Sequence, residues 1–451
     1  MKRNIMKEKL LTGIIPHEKK PIVFSADKDN YKFTFMTNET CSFGGKTIEI
    51  PSHDGFVYGT THDNYGIAIY VGETKLKLSG VKPLNTWAYV KSNGNVGKQD
   101  ISTFDTLTFH GGTLNSVFHI NAMSIEHSTE NTIVKYTDDS IKYSVKTEQY
   151  EFDVEIRSEM RESFGTKGRS INNDEVVMIL RFKNQQPLSS LFEHYNCIKD
   201  MLSFMCFRDN VGFDSITMSK NSPNKKSIPT TAIAYIKKEE LLTTKNIFYN
   251  IGFELLIDVL PKFTSVFYGK DNSKGDYVVL GFMPENDKDV FNMNDQKIRN
   301  ICSSLECELS YVTDIKVEEN EILLKLIKAT KDHIKNFRNN NEGLDGDTYN
   351  KIFASMAYWS FPLAEKLCAL YQKYIEEMTS MNFSDCDIEE QDIKNFVKYR
   401  NTITHGRHQI LTDRIATTAY FLCGLIYCCV LTRVGYSKDN LKQLCERRIL
   451  G

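Results

Sequence analysis

The sequence predicts an α+β protein: an N-terminal antiparallel β-rich domain with some helices over residues 1–315, then an all-α helical bundle over residues 316–451. Three observations carry that expectation. Apolar residues alternate with polar ones at period two through the first half, and the period changes to helical spacing at Pro187 and again after about Asp314. The chain also has 451 residues, of which 41% are hydrophobic and 25% charged, enough for two or three buried cores. That composition excludes a disordered tail, a collagen-like repeat and a small disulfide scaffold.

From about Lys20 to Asn184 the chain is a succession of short runs such as YKFTFMT, KTIEIPS, GIAIYVG, DTLTFHG and EVVMILRF, separated by Gly, Asn and Asp. Such runs read as antiparallel strands of a sandwich or open barrel. Beginning at Pro187, the residues Leu188, Leu191, Phe192, Tyr195, Ile198, Leu202 and Met205 recur three or four apart, as one face of a helix does. Pro187 suits the first turn of that helix. Residues 211–284 mix short apolar runs with the polar loop SKNSPNKKSIP, whose lysines are by default solvated.

After Asp314 the chain reads as helices. EILLKLIKATKDHIKNF places Ile322, Leu323, Leu326, Ile327 and Ile334 on one face, and the Asn-Gly-Asp-rich stretch from Asn339 to Asp347 ends it. A long second helix is expected from Thr348 to Thr379, kinked at Pro362, then a third from Ile388 to Ile403. The fourth is the dense run IATTAYFLCGLIYCCVLT, and Lys438 to Arg448 forms a short fifth. The fourth approaches the roughly 20 residues of a membrane span. Its Thr417, Thr418 and Thr432 favour a buried or dimer-forming helix, so no membrane partner is expected.

The 56 Lys and Arg nearly balance 58 Asp and Glu, so the whole chain has no field that draws it to nucleic acid or anionic lipid. The 11 Cys are odd in number and never spaced C-x-x-C, and several lie in apolar runs where a thiol behaves as a small hydrophobe. With no secretory pattern at the N-terminus, these point to a reducing cytoplasm.

Local charge is uneven. Residues 321–390 hold 8 basic and 12 acidic side chains, whereas residues 391–451 hold 10 basic and 4 acidic. Within the basic segment stands KNFVKYRNTITHGRHQ, with Arg400, Asn401 and His405. An arginine presents a permanently charged planar fork that matches a phosphate and stabilises negative charge growing on it. A histidine, with its ordinary pKa of about 6.5, can take a proton from a ribose 2′-OH or give one to the leaving oxygen. The attacking hydroxyl comes from the substrate, so no metal is required and only RNA is cut. Asn401 can orient either group.

Geometry constrains this trio. Five residues along an unbroken helix turn a side chain by about 140° and raise it by about 7.5 Å, so the helix must end between Arg400 and His405 or two chains must share the site. Thr402, Ile403 and Thr404 are indifferent helix formers and Gly406 is a natural stop. Arg-Asn also occurs at Arg3-Asn4, Arg299-Asn300 and Arg338-Asn339, but Glu8, Ser304 and Gly343 stand five residues beyond those arginines. Only the copy at Arg400 is followed by a histidine at that spacing. The competing reading is structural: Arg400 bound to an acidic neighbour and His405 closing a helix end.

The run Arg400-Asn401-Thr402-Ile403-Thr404-His405, set in an all-helical C-terminal domain, resembles the Arg-polar-x-x-x-His signature of HEPN ribonucleases. The β-rich front half, running into LFEHYNCIKDMLSFMCFRDN, is similar to the N-terminal domain of ApeA-type anti-phage HEPN proteins. Together they would cover nearly the whole chain. The resemblance implies a metal-independent endoribonuclease without a cofactor, a homodimer through the C-terminal bundle, and both signatures lining one RNA cleft. It further implies abortive-infection defence in which cutting host RNA, with tRNA an expected target, halts growth after phage entry. The N-terminal domain would then meet a phage-derived trigger. By position, Arg400, Asn401 and His405 are the expected catalytic residues. Lys398, Arg407 and Glu365 are candidate substrate-binding residues, with an ion pair the alternative for Glu365. The alternative function is a non-catalytic dimerisation and partner-binding protein.

Other candidates fall away. His53-Asp54 and His62-Asp63 lie in strand-and-turn sequence, where Asp-Gly and Asp-Asn make turns. Cys302 and Cys307 lack zinc spacing. Gly44-Gly45 and His110-Gly-Gly lack the glycine spacing and lysine of a phosphate loop.

Overall fold

Alternating runs bury one face only by pairing side by side, and the N-terminal half does so in one large sheet and two two-stranded ones. The computed structural model describes residues 10–18, 21–37, 47–93, 101–120, 123–127, 132–136, 139–165, 168–220, 230–238, 251–269, 277–286, 289–290, 292–315, 321–340, 345–357, 363–379 and 388–446. Among the described residues, thirteen strands form one antiparallel sheet. Its order starts at Ser140–Lys146 and passes through Glu151–Gly165, Gly168–Pro187, Thr103–His110, Ser215–Lys220, Thr230–Ile236 and Ala88–Ser92. It continues through Gly66–Tyr70, Phe56–Thr61, Leu10–Ile15, Ile22–Asp27 and Lys32–Met36 to Val81–Asn85. Hydrogen bonding therefore links these thirteen strands in one sheet, and a separate pair, Ile48–Pro51 with Lys75–Leu78, adds Ile50, Leu76 and Leu78 to the same core.

Lys32–Met36 shows how the pattern fills a core: Phe33 and Phe35 point inward and pack with Phe24, Ile67, Ile69 and Tyr89, while Lys32 and Met36 stay exposed. The HDG sequence is a two-residue hairpin turn. Asp54 and Gly55 have φ of 53° and 81°, and His53 and Phe56 exchange backbone hydrogen bonds of 2.9 Å on either side. The second His-Asp run makes a three-residue turn between Thr61 and Tyr65, closed by Asn64 at φ 65°. Two helices accompany the sheet, α1 (Gly112–Val117) and α2 (Leu191–Cys206). In α2, Leu191, Tyr195, Ile198, Leu202 and Met205 are buried, as their spacing predicts, and the half-buried Phe192 ring stacks on Phe56 at 5.7 Å. Pro187 is not in its first turn. It ends a strand in extended conformation (φ −74°, ψ 154°) and a 3₁₀ turn, Leu188–Ser190, follows.

The chain divides into two compact units, Met1–Ile247 and Phe248–Gly451. The boundary thus falls well before the expected 315/316. The second unit begins with α3 (Phe253–Leu256), α4 (Leu260–Val266) and α5 (Asp295–Tyr311). The last buries Ile298, Ile301, Cys302 and Leu305 against the later helices. Then come α6 (Glu321–Asn340), α7 (Gly346–Ala357), α8 (Leu363–Lys373), α9 (Ile375–Thr379), α10 (Glu390–Thr404), α11 (Asp413–Arg433) and α12 (Lys438–Glu446).

Of the expected long second helix, the described residues form α7, α8 and α9. Between the last two, the amide of Tyr374 bonds the Tyr371 carbonyl three residues back, a tighter turn that carries the Tyr374 ring into the core. Pro362, Arg448 and the loop at 221–229 lie outside the described residues. Of the expected core face of α6, Ile327 is buried while Ile322 and Leu326 are exposed, so α6 contributes less to the core than its periodicity suggests.

α11 is long and apolar enough to cross a membrane, yet it lies buried among α5, α9, α10 and α12, with Leu422, Leu425, Cys428, Val430 and Leu431 fully enclosed. The nine described cysteines are all buried and unbridged.

Candidate functional site

The site is built on α10. Its start is fixed by a capping box, in which Glu389 and Asp392 each satisfy the other's backbone amide. Arg414, at the start of α11, grips the Asp392 carboxylate through Nε at 2.8 Å and through Nη2. That bond holds the Asp392 carboxyl below the usual aspartate range. The inner face of α10 buries Ile393, Phe396, Val397, Tyr399 and Ile403.

The helix does not end between Arg400 and His405, the first of the two arrangements that the spacing allowed, so a site shared by two chains is the one that stays open. The helix runs to Thr404 and closes at His405. Gly406 is the stop: its φ of +71° lets the Arg407 amide reach the Thr402 carbonyl and its own amide reach that of Ile403, each at 3.2 Å. This is a Schellman end. The threonines are accommodated within the helix with their hydroxyls bonded back one turn, Thr402 to the Lys398 carbonyl at 2.9 Å and Thr404 to that of Arg400 at 2.7 Å. Ile403 is meanwhile anchored in the core.

α5 clamps this segment at three points. Tyr399 donates its hydroxyl to Asp295 at 2.8 Å, and burial, with that hydrogen bond, pushes the phenol up to about 12. Arg299 donates to the Ile403 carbonyl at 3.0 Å, placing a cation at the negative end of α10. Arg400 donates from Nη2 to Glu306 Oε1 at 2.8 Å and from Nη1 to Asn401 Oδ1 at 3.2 Å.

On the other side of α10 lies an open groove of about 460 Å³. Its polar lining is Lys394, Lys398, Asn401, Thr402, His405 and Arg407; Val397 and the Leu363 and Ala364 pair of α8 form the apolar wall. Among the described residues no carboxylate lines it, so three cations with an amide and an imidazole make a surface suited to an anion. Four expected site residues, Lys398, Asn401, His405 and Arg407, therefore meet in one place. Arg400 and Glu365 do not. Arg400 is turned toward α5, and Glu365 stands exposed in the first turn of α8.

Sequence reasoning missed Lys394, whose position one helical turn before Lys398 was a usable signal. It also missed Arg299 and Glu306, more than ninety residues away from their partners, for which nothing local gives notice.

Within one chain, the arrangement offers an imidazole and an amide beside basic side chains, with a guanidinium held at the rim through Asn401. Such a set can hold a phosphodiester and move a proton at it.

Comparison with known proteins bears on the other half. No curated protein and no solved structure matches the chain. Residues 42–257 match the family model of ApeA N-terminal domain 1, a span that ends close to the boundary between the two units. That match supports an ApeA-type protein and, with it, a protein of anti-phage defence.

Proposed function

We propose that this chain is a metal-independent endoribonuclease of abortive-infection defence, acting in the cytoplasm, with a HEPN-like C-terminal domain as its effector. The observation that carries the reading is the groove: Lys394, Lys398 and Arg407 surround Asn401 and His405 at the end of α10, in a chain whose front half matches an ApeA domain.

In the proposed reaction the cations bind the RNA backbone and Asn401 orients the scissile phosphate. The ribose 2′-oxygen attacks phosphorus, its proton passes to an imidazole, the bond to the 5′-oxygen breaks, and that oxygen takes a proton in turn. A single His405 cannot be base and acid in one concerted event. Two copies of the chain meeting along this segment would supply two imidazoles and two Arg400 guanidinium groups, which is why a homodimer belongs to the proposal. Arg400 stabilises charge on the phosphate. The products are a 2′,3′-cyclic phosphate and a 5′-hydroxyl. Host tRNA is the RNA to test first, and a phage component is the proposed trigger acting on the β-rich unit.

Purified full-length protein incubated with RNA and EDTA should cut it and leave cyclic phosphate ends. His405→Ala and Arg400→Ala should each lose roughly 100-fold or more in rate. Equal cutting by wild type and variants, or loss of cutting on adding EDTA, rejects the mechanism.

A non-catalytic reading has its own support, since Arg400 pairs with Glu306 and His405 closes a helix, both structural roles. It expects His405→Ala to impair assembly. Light scattering separates the two, because the catalytic reading expects an intact dimer.

A further inference from the structure

We infer that Glu306 is a displaceable latch on Arg400, which keeps the guanidinium neutralised on the α5 side until an RNA phosphate takes it. The inference rests on the ribonuclease reading above and adds a means of holding that site in check.

The guanidinium is shared between Glu306 Oε1 at 2.8 Å and Asn401 Oδ1 at 3.2 Å, and Asn401 also lines the groove. Arg400 thus stands at the groove's rim with its charge spent on a carboxylate. Consecutive residues of a helix are about 100° apart, which puts the root of the Arg400 side chain beside that of Asn401. A long flexible side chain crosses that angle by changing rotamer, with no movement of the backbone.

The pair is also easy to break. The Arg400 side chain is 23% exposed and that of Glu306 43%, so water can take over the carboxylate when it is released. Exposed ion pairs of this kind contribute little. A phosphate offers the same planar fork two oxygens and is a strong competitor. Lys394, Lys398 and Arg407, with no carboxylate among the described residues that line the groove, bring that competitor in. In the free protein Glu306 removes one positive charge from the rim. In the RNA complex its freed carboxylate recovers a counterion, which offsets one of those released from the RNA.

The test uses the full-length His405→Ala protein, so that RNA is bound and not cut, with a fluorescently labelled single-stranded RNA titrated from about 50 to about 200 mM salt. Adding Glu306→Gln should tighten binding roughly fivefold and steepen the dependence of log K on log salt by somewhat under one, about 0.7 to 0.9, because no freed carboxylate then recovers a counterion. Both changes should vanish when Arg400→Ala is also present. Unchanged or weaker binding by Glu306→Gln, or a gain that persists without Arg400, overturns the latch and makes Glu306 a simple positioning residue. Glu306→Ala, checked by thermal melting, serves as second variant should Glu306→Gln fail to fold. No RNA binding by the His405→Ala protein at any salt sinks both this inference and the ribonuclease reading. RNA cutting by wild type together with an unaltered salt slope sinks the latch alone.

Discussion

Two glutamates two positions apart on the same turn of α5 each hold an arginine, and they do so in opposite surroundings. Glu308 and Arg433 of α11 meet at 2.8 Å with side chains only 2% and 10% exposed. Arg433 further donates to the Tyr277 carbonyl at 3.0 Å and lies over the Tyr311 ring at 4.2 Å. Glu306 and Arg400 meet at the same distance but stand in water. Distance alone therefore says little about what an ion pair does. The enclosed pair has no solvent to replace a lost partner and is part of the framework; the open pair can exchange partners and is available for chemistry.

The sharpest break of this comparison is Glu308→Ala, which strands the Arg433 charge in the interior. It should destabilise the protein by about 3–5 kcal/mol in denaturant unfolding. A loss below about 1 kcal/mol would erase the distinction between the pairs.

The same carboxyl gives a pH signature. Burial pushes Glu308 up to about 7 against the opposing pull of Arg433. Its folded pKa is thus above the unfolded one, so the native state holds the extra proton. The linked stability is complete below the ordinary glutamate range and is lost as pH rises through about 7. Unfolding midpoints between pH 5 and pH 8 should show this fall in wild type and a flatter profile in Glu308→Gln. A wild-type profile as flat as the variant's would remove the desolvation argument.

A smaller effect is expected at the helix end. Gly406→Ala meets no steric neighbour, so its cost is the left-handed backbone alone, about 1–2 kcal/mol. Weaker RNA binding should accompany it, because the turn places His405 and Arg407. Smallest of all, Glu306→Gln should leave the unfolding free energy, measured by denaturant titration, within about 0.5 kcal/mol of wild type, as an exposed pair would.

Much of the fold was legible because strands and helices announce themselves locally. Phe33 and Phe35 alternate with polar neighbours and are buried, and the run beginning at Leu191 buries the face its spacing picks out. The order of thirteen strands was not legible, since Thr103–His110 pairs with Gly168–Pro187 and Ser215–Lys220 across long stretches of chain. The domain boundary went astray for a related reason. A change from strand-like to helix-like composition marks where a pattern changes, whereas α5 belongs by packing to the helices beyond it.

At the candidate site, helical arithmetic was both right and incomplete. It separates Arg400 from His405 by angle, and the unbroken α10 does so, with Lys398, Asn401 and His405 sharing the groove. What answers for Arg400 is Glu306, and no local pattern could name it.

The location of α5 sets where evolution can cut this gene. A recombination joint near residue 315 would leave Arg299 and Glu306 behind with the old front half and hand the new protein an α10 stripped of its clamp. A joint near residue 250 transfers the whole helical unit together with its restraint. Lineages that exchange front halves while keeping this helical unit should therefore carry their crossovers upstream of Asp295, in the interval where the family match also stops.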